Sequence, residues 1–173
     1  LKNMINLALC INNKPFAIRY PRDLAREYKD NNKFQKILIG KGKVIKNGKK
    51  IAFLNLGTRL KKVLEISELI KKNYKLDCTI IDMRFAKPID VKLIQKLKKN
   101  HNIFVTIEEN AIGGFSSQVN DFLINKLNDT PKILNFFMKD EFIDQSDIED
   151  QYSKSGISSK MIYEKLINFL KWF

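Results

Sequence analysis

The stretch IAFLNLGTRLKKVLEISELI, residues 51–70, decides the fold. Its first six residues are apolar at every position except Asn55. Such a run, without polar alternation, suits a strand covered on both faces. Gly57-Thr58 breaks the run, and Thr58 is a plausible helix N-cap. Leu60, Val63, Leu64, Ile66, Leu69 and Ile70 then recur at helical spacing. The same alternation repeats towards the C-terminus. Residues 78–83 (CTIIDM) read as a second buried strand, and Asp90 can cap a helix carrying Leu93, Ile94 and Leu97. Residues 103–107 (IFVTI) give a third strand, and a helix with Val119, Phe122, Leu123 and Leu127 follows Gly113-Gly114. Residues 133–137 read as a fourth strand, and from Ser158 a last helix presents Met161, Ile162, Leu166, Phe169 and Leu170. Strands alternating with helices imply right-handed βαβ crossovers. The expected class is α/β, a mostly parallel open sheet with helices on both faces.

Towards the N-terminus the pattern changes. Residues 43–45 suit a short strand, and Asn47-Gly48 predicts a type I′ hairpin that adds one antiparallel strand at an edge. Residues 23–36 are polar and poor in apolar side chains, as an interdomain linker would be. Residues 15–20 (PFAIRY) read as a short buried strand that stops at Pro21. Residues 1–13 read as the end of an amphipathic helix, with Leu1, Met4, Ile5, Ala8 and Leu9 on one face. A helix already under way at Leu1, without an initiator Met, suggests truncation upstream.

The 173 residues carry a net charge of +13. Of the 32 basic residues only Arg19, Arg22, Arg26, Arg59 and Arg84 are arginines; the lysines are spread along the whole chain. Nucleic-acid surfaces concentrate charge on one face and favour Arg. A solvated lysine surface of A/T-biased coding origin is therefore expected, with no nucleic-acid partner. No apolar run reaches the roughly 18 residues of a membrane helix, and the first ten residues lack a signal-peptide pattern. Cys10 and Cys78 have no metal-ligand spacing and are expected to be small buried apolar residues in a reduced compartment.

Four places could carry chemistry. Arg19 and Arg22 flank Tyr20-Pro21. Arg22 could bind a phosphate or carboxylate in a bidentate manner or form an interdomain salt bridge, and Arg19 reads as structural. Glu108 and Glu109 end the third strand. Neighbouring strand residues point to opposite faces, so they read as structural or interface groups rather than one acid–base dyad. Gly113-Gly114 could free backbone N–H groups for an anion, but close packing is the stronger expectation. The stretch from Asp82 to Phe85, with Lys87-Pro88, lies at a strand's carboxyl end, where open sheets bind ligands or neighbouring subunits. His101, the only histidine, is expected to be solvated between Asn100 and Asn102. No metal-ligand cluster, nucleophile elbow or P-loop is present.

RYPRD at 19–23, GKGKVIKNGKKIAFLNLGT at 40–58, DMRFAKPID at 82–90, HNIFVTIEENAIGGFSSQVNDFL at 101–123 and MKDEFIDQ at 138–145 occur in this order, before Ser155-Gly156-Ile157. The set closely resembles the C-terminal region of the 1-deoxy-D-xylulose-5-phosphate synthase family, within the transketolase-like thiamine-diphosphate enzymes. DMRFAKPID and VTIEENAIGGF are its most specific parts. The resemblance implies homodimers that condense pyruvate with glyceraldehyde 3-phosphate, release carbon dioxide and make 1-deoxy-D-xylulose 5-phosphate for non-mevalonate isoprenoid, thiamine and pyridoxal synthesis. It implies thiamine diphosphate and Mg2+ as cofactors, bound by upstream domains. Residues 1–30 would be the end of the pyrimidine-binding domain with its linker, and residues 31–173 the transketolase C-terminal-like domain. Arg22 matches the family Arg that binds the aldehyde's phosphate; the Gly that usually follows it is Asp23 here. The chain itself would hold no catalytic, cofactor or metal residue and would be inactive alone. A bacterial cytosol and a plastid-type organelle are both open. So are another transketolase-like enzyme, a 2-oxoacid dehydrogenase beta-type enzyme and a stand-alone non-catalytic module.

Overall fold

Ile51, Ala52, Phe53 and Leu54 are completely enclosed, because helices cover the sheet on both sides of their strand. The computed structural model describes residues 1–21, 34–127 and 130–171. Its strands are β1 (Lys43–Lys46), β2 (Lys50–Asn55), β3 (Thr79–Asp82), β4 (His101–Ile107) and β5 (Lys132–Phe136). Its helices are α1 (Lys2–Leu9), α2 (Leu60–Tyr74), α3 (Val91–Lys98), α4 (Phe115–Lys126), α5 (Ile148–Lys154) and α6 (Ser159–Leu170). The sheet order is β1-β3-β2-β4-β5, parallel throughout except for β1, which runs antiparallel to β3 at one edge.

Two apolar layers hold the sheet. Ile51, Phe53, Ile80, Val105 and Ile107 meet Val63, Ile66 and Ile70 of α2 and Ile162 and Leu166 of α6. Ala52, Leu54, Ile81 and Phe104 meet Ile94 and Leu97 of α3 and Val119, Phe122 and Leu123 of α4. Each of these side chains larger than that of Ala52 contributes about 1.5–3 kcal/mol by leaving water. Asp90 caps α3, accepting from the Leu93 N–H at 3.1 Å. The same carboxylate receives Lys41 Nζ at 3.0 Å and the Gly42 N–H at 3.2 Å, so residues 40–42 are tied to the start of α3. Among the described residues no helix is long and apolar enough to cross a membrane.

The structure corrects several local expectations. Asn47-Gly48 makes no hairpin: β1 pairs with β3, which lies between it and β2. Positive φ falls at Lys50 rather than at the Asn-Gly pair. Gly48 instead lets the chain cross the start of β3, where a Cβ would lie 2.2 Å from the Asp77 carbonyl oxygen. Its N–H donates to Thr79 Oγ1 at 2.8 Å. Residues 15–20 are not a strand, since no strand among the described residues lies beside them to share a ladder. Residues 1–13 do carry a helix, but it ends at Leu9 and buries no side chain. Cys10 is exposed and only Cys78 is buried, where desolvation pushes its thiol up to about 12. His101 is enclosed, not solvated. It opens β4, and its ring lies 2.7 Å from both the Leu97 carbonyl oxygen and Thr79 Oγ1. Arg22 and most of the expected linker lie outside the described residues.

Candidate functional site at the carboxyl edge of the sheet

A parallel sheet delivers the loops after its strands to one edge. Here that edge gathers Gly57-Thr58 after β2, Met83-Arg84 after β3, the 108–114 loop after β4 and Met138 after β5. Glu108 and Glu109 leave the end of β4 in opposite directions, as strand alternation requires. Glu108 is buried beneath α4. Its Oε2 accepts from the Phe115 N–H at 2.8 Å and its Oε1 from the Ser116 N–H at 2.7 Å. The carboxylate thus neutralises the positive end of the helix. A Cβ on Gly114 would lie 2.3 Å from Glu108 Oε2, so the glycine serves close packing. The anion position at this helix start is already filled by the chain's own carboxylate.

Glu109 faces the other side. Its Oε1 accepts from the Thr58 hydroxyl and, at 2.6 Å, from the Tyr152 hydroxyl of α5. The two hydroxyls lie 3.3 Å apart. Burial, and then the bond to Glu109, hold the Tyr152 phenol above its ordinary pKa. Thr58 is therefore not the N-cap of α2, a position that Arg59 occupies without a side-chain cap bond. The Glu109 carbonyl oxygen accepts from Arg19 Nη2. Arg19, Pro21, Thr58, Glu109, Ile148, Gln151 and Tyr152, with Met138, line a small open cleft.

Sequence reasoning missed Arg59 and Tyr152. The Arg59 guanidinium stacks 3.9 Å from the Tyr152 ring centre. Only 3% of Arg59 is exposed, and its Nη2 donates at 3.3 Å to the Ile157 carbonyl and to Ser159 Oγ. Its signal was an arginine kept in a lysine-dominated chain, just after a strand end. Arg84, by contrast, is tied to its own strand. Its N–H bonds Asp82 Oδ1 at 3.2 Å, and its Nε lies 3.7 Å from Oδ2. Burial pushes the Asp82 carboxyl up, against the opposing pull of Arg84. In the loop beyond it Pro88 packs against the chain at Gly40, where a Cβ would lie 2.9 Å from Pro88 Cγ. Among the described residues no three His, Cys, Asp or Glu side chains converge as a metal's ligand set.

The transketolase C-terminal domain profile matches residues 40–162, most of the chain. The chain belongs to the transketolase C-terminal domain family. Glu108, Glu109, Thr58, Arg59 and Tyr152 all lie within the matched domain, and Arg19 and Arg22 precede it. The chain is also similar to proteins named 1-deoxy-D-xylulose-5-phosphate synthase. One from Haemophilus influenzae (strain PittGG) is 39% identical over 157 residues, covering 91% of this chain and 24% of the relative. One from Aliivibrio fischeri (strain ATCC 700601 / ES114) is 42% identical over 164 residues, covering 90% of this chain and 25% of the relative. The chain thus spans about a quarter of the length of the curated relatives it matches.

Among solved structures, a split-gene transketolase described as an inactive beta4 tetramer superposes with a TM-score of 0.67 at 24% identity. That match covers 78% of this chain and 42% of the other. A transketolase R525L mutant from Pichia stipitis gives a TM-score of 0.56 at 8% identity, covering 78% of this chain and 18% of its own. Both speak to the fold of the transketolase C-terminal domain: a mostly parallel sheet with helices on both faces.

Proposed function

We propose that this chain is the C-terminal part of a 1-deoxy-D-xylulose-5-phosphate synthase. The observation that carries the reading is identity of 37–42%, over about nine-tenths of the chain, to relatives bearing that name. The intact enzyme would condense pyruvate with glyceraldehyde 3-phosphate, giving 1-deoxy-D-xylulose 5-phosphate and carbon dioxide, as a homodimer in the bacterial cytosol. Residues 1–30 then end the pyrimidine-binding domain and lead into the C-terminal domain at 31–173.

Within this reading the chain's contribution to substrate is Arg22. Its planar guanidinium matches the oxygens of the aldehyde's phosphate. Thiamine diphosphate and Mg2+ do not fit the described residues. No metal ligand set converges among them, and the start of α4, the natural cradle for a diphosphate, is filled by Glu108. The reading assigns both cofactors to the enzyme's upstream domains.

An acceptor profile of the full-length enzyme tests the proposal. With pyruvate as donor, glyceraldehyde 3-phosphate is expected to support turnover and ribose 5-phosphate is not. Preference for the pentose phosphate would make the protein a different transketolase-like enzyme.

A further inference from the structure

We infer that His101, Thr79 and Gly48 form a pH-driven hydrogen-bond switch, in which protonation of the buried imidazole locks the connection between β1 and β2 across the start of β3.

Four contacts join these groups, and with a neutral imidazole only three hydrogens serve them. His101 is 5% exposed and Thr79 2%. Nδ1 of His101 lies 2.7 Å from the Leu97 carbonyl oxygen, which can only accept, so Nδ1 carries a hydrogen. Nε2 lies 2.7 Å from Thr79 Oγ1. That hydroxyl already accepts from the Gly48 N–H at 2.8 Å and stands 3.0 Å from the Gly48 carbonyl oxygen. A threonine hydroxyl has one hydrogen to give. When the imidazole is neutral, Nε2 is a bare lone pair and takes that hydrogen, and the Gly48 carbonyl goes without it. When the imidazole is protonated, Nε2 donates to Oγ1 and the hydroxyl turns to the Gly48 carbonyl. Every donor then meets an acceptor, from Leu97 through His101 and Thr79 to Gly48. One proton reverses the bond between His101 and Thr79 and adds a bond at Gly48.

The added bond falls where the chain crosses β3 with backbone against backbone. The Lys49 N–H, next along the crossing, donates to the Asp77 carbonyl oxygen at 2.8 Å. The charged groups around the relay are Lys46, Lys49 and Lys50 from β1, β2 and their connection, Glu68 on α2, Asp77 before β3, Lys98 and Lys99 at the end of α3, and Lys132 on β5. Glu68 takes Lys46 at 2.7 Å. Asp77 takes Lys71 at 2.9 Å, a bond that holds its carboxyl below the ordinary carboxylate value. Burial pushes the thiol of Cys78, beside Thr79, up to about 12. Neither Asp77 nor Cys78 changes charge between about pH 5 and pH 8, the span in which imidazoles titrate, so a response there is assigned to His101.

The test uses the 173-residue chain, which holds both apolar layers and a single histidine. Nitrogen NMR of the imidazole is expected to show hydrogen on Nδ1 alone at alkaline pH. On acidification both nitrogens should carry hydrogen before the chain unfolds. Along that titration the Lys49 amide, its exchange corrected for the intrinsic rate at each pH, should gain roughly 3- to 10-fold in protection, the value of one hydrogen bond. Thr79→Val keeps the bulk and removes the hydroxyl, and the gain at Lys49 should vanish. Hydrogen on Nε2 alone at alkaline pH, an imidazole that stays neutral until the chain unfolds, or Lys49 protection indifferent to the imidazole charge would each overturn the inference. So would an undiminished gain in Thr79→Val. The first three readings need only the unmodified chain and decide the matter even if Thr79→Val does not fold.

Discussion

Replacing Arg22 with Ala in the full-length enzyme is expected to raise the Michaelis constant for glyceraldehyde 3-phosphate by about 30- to 150-fold, with little change for pyruvate. A guanidinium makes two parallel charge-assisted bonds to a phosphate, and losing such a pair costs about 2–3 kcal/mol. Pyruvate carries no phosphate and should not register the change. Arg22→Lys should fall between, because an ammonium keeps the charge but not the planar fork. Steady-state kinetics with each substrate varied in turn reads the split. Equal effects on both substrates would make Arg22 a structural residue.

Glu108→Ala is expected to destabilise the C-terminal domain by about 3–5 kcal/mol, because two enclosed N–H groups lose a charged acceptor together. Phe115 and Ser116 donate to the two separate oxygens of this carboxylate, which is itself only 2% exposed. Water cannot easily replace them beneath α4. For a domain of this size the melting temperature should fall by roughly 10 °C or more. Glu108→Gln keeps one acceptor oxygen and should lose less. Thermal unfolding of the 173-residue chain followed by circular dichroism checks both variants. A shift of a degree or less for Glu108→Ala would mean that the helix start is satisfied in another way.

The sheet was legible because its signals are local and agree with one another. The unbroken run at 51–56, the helical spacing that follows, and the Asp90 cap each announce their own element. The divergence of Glu108 and Glu109 was also legible, since it follows from alternation along one strand, and the α4 dipole accounts for Glu108. The Asn47-Gly48 signal failed because β3 takes the place beside β1 that a hairpin would give to β2, a choice made by distant packing. α5 escaped notice because it buries no apolar stripe, although Asp147 does cap it, accepting from the Asp150 N–H at 2.9 Å. Glu109, Thr58, Tyr152 and Arg19 come from four separate stretches of the chain. Nothing in any one of them announces the other three, so only the folded sheet edge brings the junction into view.

Two proteins are to be compared in one assay with pyruvate, glyceraldehyde 3-phosphate, thiamine diphosphate and Mg2+. One is residues 1–173 alone, and the other is the full-length enzyme of which they are proposed to form the C-terminal part. The full-length enzyme is expected to give 1-deoxy-D-xylulose 5-phosphate and carbon dioxide, and the chain alone no turnover. Clear turnover by residues 1–173, or a folded full-length protein that makes no 1-deoxy-D-xylulose 5-phosphate, would contradict the synthase reading.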